Sequence, residues 1–374
     1  MRCPSRLVAT MLTKMAFHPE RATCLQSDNS RSLPNTALQR PPYRETEHEG
    51  SMNTMEWVHD RGPLGSWTPP GTAQVTGTGS HSQVFRAVER VTGNLVAVKA
   101  IHTDWLDRRR VEFLRAEIDI HNEVSRHPFV VRLLGVFDDS EAQFIVQELA
   151  EGGSLLDHLH SRSSMETEAE VRVLLRRLLA AAQFLHGRGI VHRDIKPENL
   201  LVMREGDMSS TKLADFGFAT RLNGESAVAG PACGTPEYVA PEILLQQPFC
   251  GKADVWSAGV TAFCLLSGVM PFHGLTLDKL YTAVLDGACS YAGAPWEGVS
   301  ASARDCVQRM LQVDPEERWT AAQLLEHPWI TGAGVGVGIG GDSRLDGRKR
   351  RRPRLRTLGL AVVFLNRLLV RSGR

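Results

Sequence analysis

The stretch Ile190-Val191-His192-Arg193-Asp194-Ile195-Lys196-Pro197-Glu198-Asn199-Leu200-Leu201 constrains the fold of this chain more than any other. It sets four charged side chains and a histidine between two apolar pairs. A core strand of that composition would carry unpaired charge into the interior, which is costly. The segment therefore reads as a functional loop pinned at both ends by buried residues.

The flanking pattern predicts what the loop is mounted on. Gln83–Val88 and Leu95–Lys99 are strand-like runs separated by the turn Thr92-Gly93-Asn94, and residues 108–126 have helical spacing. Val130–Val136 and Phe144–Leu149 read as further strands. After Gly152-Gly153 the apolar positions take helical spacing over 168–187, 255–268 and 300–312. A sheet-rich N-terminal lobe followed by a helical one is expected, an α+β arrangement, over residues 71–330. Residues 1–70 mix Pro, Ser, Arg and polar residues without periodicity and are expected to be disordered. Residues 331–374 read as a Gly-rich linker and a basic, then apolar, tail.

Composition excludes several classes. Of 374 residues 42% are hydrophobic, enough for a sizeable core, and the formal net charge is only +1, which argues against specific nucleic-acid binding. That balance hides an asymmetry: eleven Lys/Arg against two Asp/Glu between Asp342 and Arg374 give the tail +9 and the rest −8. The seven cysteines are scattered without a C-x-x-C pair, which fits a reduced compartment, cytoplasmic or nuclear. Nowhere do eighteen apolar residues run together. Up to Gln26 the chain carries four basic residues against Glu20, which admits an organelle transit peptide or a plain extension.

Phosphoryl transfer needs phosphates held by backbone N–H groups and a cation, metal ions on carboxylate and amide oxygens, and a carboxylate that aligns the attacking hydroxyl. Each part has a candidate. Gly77-Thr78-Gly79-Ser80-His81-Ser82-Gln83-Val84 has glycines that let a hairpin backbone approach phosphates. Lys99 ends the apolar run Val96-Ala97-Val98 and needs an anionic partner there, which Glu117 in the following helix supplies. Asp194 would accept or orient the hydroxyl proton, Lys196 would neutralise charge on the moving phosphoryl group, and Asn199 would bind a metal ion. Asp215, in Asp215-Phe216-Gly217, would hold the Mg²⁺ that bridges the phosphates.

Taken in order, these motifs resemble those of the protein kinase family. The match continues through Cys233–Glu242, Asp254–Gly259 and Arg318. The resemblance implies a bilobal protein kinase fold, ATP and Mg²⁺ as cofactors, and protein substrates. It places the nucleotide against Thr76, Gly77, Gly79, Ser82, Val84, Ala97, Lys99, Glu148, Ala150 and Leu201, with the metal on Asn199 and Asp215. It also implies an ion pair between Glu242 and Arg318. Lys196 and Thr235 resemble the serine/threonine branch, and Pro295–Ser300 with Glu326–Ile330 is most similar to the calcium/calmodulin-dependent kinase group. The alternative is a nucleotide-binding pseudokinase or scaffold, which would be expected to lack Lys99, Asp194 or Asp215.

Departures from the family pattern carry their own expectations. Ser82 replaces a glycine, and one extra residue between Glu117 and His127-Pro128 predicts a bulge at the helix end. Pro231 occupies the usual activating phosphoacceptor position, with Thr220 and Ser226 the hydroxyls before Thr235, so regulation independent of activation-segment phosphorylation is expected. Glu198 and Asp157 are candidate anchors for a basic substrate residue, although Ser154 stands where basic-directed kinases often carry Glu. The tail, basic from Arg348 to Arg356 and then apolar from Leu358, reads as a nuclear localisation signal, a segment for calmodulin or an acidic membrane surface, or a solvated extension.

Overall fold

The computed structural model describes residues 67–68, 75–78, 82–89, 92–102, 107–138, 142–161, 167–222, 224 and 233–333. Its first part is an antiparallel sheet of β1 (Trp67–Thr68), β2 (Val75–Thr78), β3 (Ser82–Glu89), β4 (Leu95–His102), β5 (Leu133–Asp138) and β6 (Ala142–Glu148). Neighbours run β1-β3-β4-β6-β5, with β2 also on β3. Val96, Val98 and Ala100 bury one face of β4, and on the other face Lys99 stands half-buried between the buried Ala97 and Ile101. In register, Lys99 lies between Val84 of β3 and Ile145 of β6.

Helix α1 (Arg108–Val124) crosses this sheet, its start capped by the Asp107 side chain, which accepts from the Arg110 N–H at 2.8 Å. It is unbroken α-helix to Val124, so the expected bulge is absent from it and the extra residue does not disturb the Glu117 turn. Only four of its seventeen residues, Leu114, Ile120, His121 and Val124, are buried. Trp67–Thr68 pair with Glu89 and Val88, inside the segment expected to be disordered. Two residues carry no readable period, and the open backbone edge of β3 recruits them.

The second part is helical. It comprises α2 (Leu155–Ser161), α3 (Glu168–His186), α4 (Pro241–Leu244), α5 (Lys252–Ser267), α6 (Leu277–Asp286), α7 (Ala301–Met310), α8 (Ala321–Leu325) and α9 (Pro328–Thr331). Thr167 and Glu170 form a reciprocal capping box at the start of α3. Fourteen of the sixteen residues of α5 are buried, so it is the central helix against which α3 and α7 pack. The second part also carries two short two-stranded ribbons: β7 (Ile190–Val191) pairs with β10 (Thr220–Arg221), and β8 (Leu200–Arg204) with β9 (Asp207–Leu213).

The two lobes join where β6 ends. Gly152 N–H donates to Val202 O at 3.0 Å, and a Cβ on Gly152 would lie 2.8 Å from the Val202 side chain, so only glycine permits this approach. Lys212 Nζ on β9 reaches Glu148 Oε1 on β6 at 2.6 Å, and Val131 N–H donates to Leu213 O at 2.9 Å. In the lower lobe Arg318 and Glu242 form a two-pronged pair at 2.7 and 2.9 Å, both side chains essentially without solvent contact.

Candidate active site

The loop read first from the sequence sits between β7 and β8, and a buried acid holds its shape. Arg193 has φ +65°, a left-handed conformation unfavourable for a side-chain-bearing residue. Asp254 on α5, fully buried, accepts from the backbone N–H of His192 at 3.0 Å and of Arg193 at 2.8 Å, and from His186 Nε2 at 2.8 Å. Burial alone would raise the Asp254 carboxyl, but the His186 and His192 groups hold it below the usual carboxylate value. The Arg193 side chain turns to the Phe218 carbonyl at 2.7 Å.

Asp194, 3% exposed, lies one residue on. Its Oδ2 accepts from Asn199 Nδ2 and Lys196 Nζ, both at 2.8 Å. Its Oδ1 accepts from the N–H and the hydroxyl of Thr235, both at 3.2 Å, while Lys196 Nζ also donates to Thr235 Oγ1 at 2.6 Å. Thr235 is brought there by Gly234, whose φ of +99° and 2.8 Å approach to the Arg193 carbonyl leave no room for a Cβ. The four residues thus form one network joining loop and docking segment.

A second centre faces it from the sheet. Lys99 Nζ lies 2.9 Å from Glu117 Oε1 on α1 and 3.4 Å from Asp215 Oδ1. Burial alone would lower the lysine pKa, but the Asp215 and Glu117 carboxylates outweigh it and hold the ammonium well above its usual value. Burial would likewise raise Asp215, yet Lys99 and His192 hold it below the usual range, so it is an anion at neutral pH. Asp215 also has φ +62°, which turns its carboxylate towards Lys99 while Phe216 is buried.

The remaining candidates are distributed as follows. Thr76 and Gly77 lie on β2 beside a register shift, Gly77 opposite Val84, and Ser82 opens β3; Gly79 lies outside the described residues. Ala97 is two residues before Lys99 on β4, and Leu201 on β8 bridges to Ser154. The Glu148 carboxylate is committed to the Arg132 N–H at 2.7 Å and to Lys212, and it lines a cavity of about 610 Å³ with Leu95, Leu134 and Met203 that contains neither Lys99 nor Asp215. The backbone of Glu148 and Ala150 is thus what these residues can turn to a nucleotide base. Asp157 is spent within its own turn, accepting from Ser154 N–H and Oγ–H. Pro231 and Ser226, and the tail beyond Ala333, lie outside the described residues.

Sequence reading assigned no role to Asp254 or His121. The signal for Asp254 was an acid inside an otherwise apolar helix; for His121 it was a histidine one turn beyond Glu117.

The model for the protein kinase domain matches residues 72–330, and the chain belongs to that family. It is 41% identical over 255 residues to serine/threonine-protein kinase H1 of Homo sapiens, covering 68% of this chain and 59% of that protein. The homolog from Danio rerio is 42% identical over 68% of this chain and 60% of its own length. Calcium/calmodulin-dependent protein kinase type 1 of Caenorhabditis briggsae is 39% identical over 259 residues, covering 69% of this chain and 71% of that protein. The chain thus spans about 60% of the length of the H1 relatives it matches.

Proposed function

We propose that the chain transfers the γ-phosphoryl group of MgATP to serine or threonine hydroxyls of protein substrates. The observation that carries the proposal is the Asp194 carboxylate, fixed by Asn199, Lys196 and Thr235 at the edge of the docking segment. Family membership implies ATP and Mg²⁺ in general, and the residues fit them. Asp215 and Asn199 offer one carboxylate and one amide oxygen, a hard donor set suited to Mg²⁺ that is also held by phosphates. Among the described residues no group of three or more His, Cys, Asp or Glu could hold a metal without such help. MgATP, when bound, supplies the phosphoryl group and the metal charge that offsets its oxygens.

The chain's own residues do the rest. Lys99, oriented by Glu117, places its ammonium at the phosphates. The Thr235 bonds are the longest at the Asp194 carboxylate, so an incoming hydroxyl displaces them and donates its proton to Asp194. Lys196, between Asp194 and Thr235, neutralises charge that develops on the moving group. Lys99→Met and Asp215→Asn are each expected to abolish transfer while the melting profile stays near that of the parent; near-normal activity in either would remove that residue from its role.

Substrate preference and control belong to the same proposal. Burial raises the carboxyls of Glu198 and Glu237, and the two interact, so a basic residue beside the acceptor would relieve both. The similarity to a kinase named for calcium and calmodulin supports binding of calmodulin by the basic and apolar tail. Free thiols at Cys233, Cys250, Cys264, Cys289 and Cys306 support a cytoplasmic or nuclear setting. Because Pro231 offers no acceptor and Arg193 already holds the Phe218 carbonyl, phosphatase-treated protein is expected to keep its activity, and Ser226→Ala and Thr220→Ala most of theirs. Activity that vanishes with a phosphate on Ser226 and returns with it would contradict this. Incubation with labelled MgATP and a degenerate peptide library tests the whole: label on Ser/Thr peptides is expected, and none on any peptide would refute it.

A further inference from the structure

Val131 and Arg132 approach the sheet but precede β5, which begins at Leu133, so the peptide group between them has no ladder partner of its own. Val131 is fully buried, and a buried carbonyl or N–H left unpaired is penalised. Both ends are satisfied by side chains. The Arg132 N–H donates to Glu148 Oε1 at 2.7 Å, and His121 Nε2 lies 2.8 Å from the Val131 carbonyl oxygen. A carbonyl only accepts, so the contact fixes the imidazole proton on Nε2. The Val131 N–H in turn donates to the Leu213 carbonyl, two residues before Asp215.

His121 stands one helical turn beyond Glu117 on the same face of α1. Its ring, 5% exposed, stacks on Phe216 at 5.0 Å with an interplanar angle of 27°. Burial lowers its pKa, the Val131 bond opposes this and the Lys99 charge adds to it, in keeping with a neutral donor. Helix α1 buries only four residues, and its second half is held by the buried His121 bond to Val131 and by the exposed Glu123 carboxylate, which accepts from Arg221 Nη2 at 2.5 Å.

We infer that His121 is a positioning residue: through the Val131 carbonyl it ties the helix that carries Glu117 to the strand that leads into Asp215, and so keeps Lys99, Glu117 and Asp215 in one arrangement without a phosphate on the activation segment. The inference rests on the phosphoryl-transfer reading for its effect on rate, and on geometry alone for its effect on the helix. A methionine or leucine would fill the same volume and touch Phe216, but would leave the Val131 carbonyl without a donor.

The test compares the full-length parent chain with His121→Met and His121→Gln, the second of which keeps an N–H at a similar reach. Peptide kinetics are read at saturating MgATP alongside amide exchange across residues 108–133, which needs no catalysis. Expected for His121→Met is a kcat about tenfold lower with the peptide KM within about twofold, and α1 exchange faster by about tenfold, because the lost donor frees the helix rather than the docking segment. His121→Gln is expected to recover most of both. Parent-like kcat and exchange in His121→Met would overturn the inference, as would equal loss in both variants, which would assign the effect to the ring stack. Equal falls in melting temperature with kcat intact would leave a structural role alone and also overturn it. If the parent transfers no phosphate yet exchange separates Met from Gln as expected, the phosphoryl-transfer reading fails and the tether stands.

Discussion

Asp194→Ala is expected to lower kcat by about 10²-fold or more while the KM for MgATP stays nearly unchanged. The carboxylate contacts Lys196, Asn199 and Thr235, whereas Lys99, Glu117 and Asp215 bond to one another and, among the described residues, make no hydrogen bond to it, so its loss strikes the hydroxyl rather than the nucleotide. Alanine also removes the acceptor of four hydrogen bonds in a site only 3% exposed, although Lys196 keeps the Thr235 hydroxyl and Asn199 keeps the backbone carbonyl of residue 194, so the variant is expected to melt earlier as well. Asp194→Asn separates the two effects. It keeps the shape and some of the bonds, and should show the loss in kcat with a smaller fall in melting temperature. Unchanged turnover in either variant would remove Asp194 from the mechanism.

The second large effect is on stability. Glu242 and Arg318 are buried to within 2% of their side-chain surface, and Arg318 also donates to the backbone carbonyls of Gln312 and Lys252. Removing one partner of such a pair strands a charge, so Arg318→Ala is expected to cost about 3–5 kcal/mol. For a domain of this size that is a fall of roughly 6–20 °C in melting temperature, read by calorimetry. The Glu242→Leu, Arg318→Met double variant should recover part of the loss, since no charge is left buried, but not all of it, because those carbonyls lose their donor. A melting temperature within about 2 °C of the parent for Arg318→Ala would show that water reaches the pair after all.

Elements whose signal is local were legible in the sequence. The helical period over 168–187 gives α3 with its capping box, and the charged loop between Val191 and Leu200 is a loop in the structure. The Lys99–Glu117 contact could be anticipated because a lysine at the end of a buried strand needs an anion. Asp254 was harder. Its work is done on the N–H groups of His192 and Arg193, some sixty residues earlier, and no spacing rule links them. His121 was missed for a related reason: its partner is a backbone carbonyl whose need arises only because β5 starts at Leu133. Strand β1 carries two residues, too few for any period, and exists because β3 presents an open edge.

The most direct test is the initial rate of phosphate transfer from MgATP to a serine- or threonine-containing peptide by purified, phosphatase-treated protein, measured beside Asp194→Asn, with the modified residue read by mass spectrometry. The account predicts phosphoserine or phosphothreonine at a rate about 10²-fold or more above the variant. Nucleotide binding without transfer above the variant's rate would contradict it and leave a nucleotide-binding scaffold in its place.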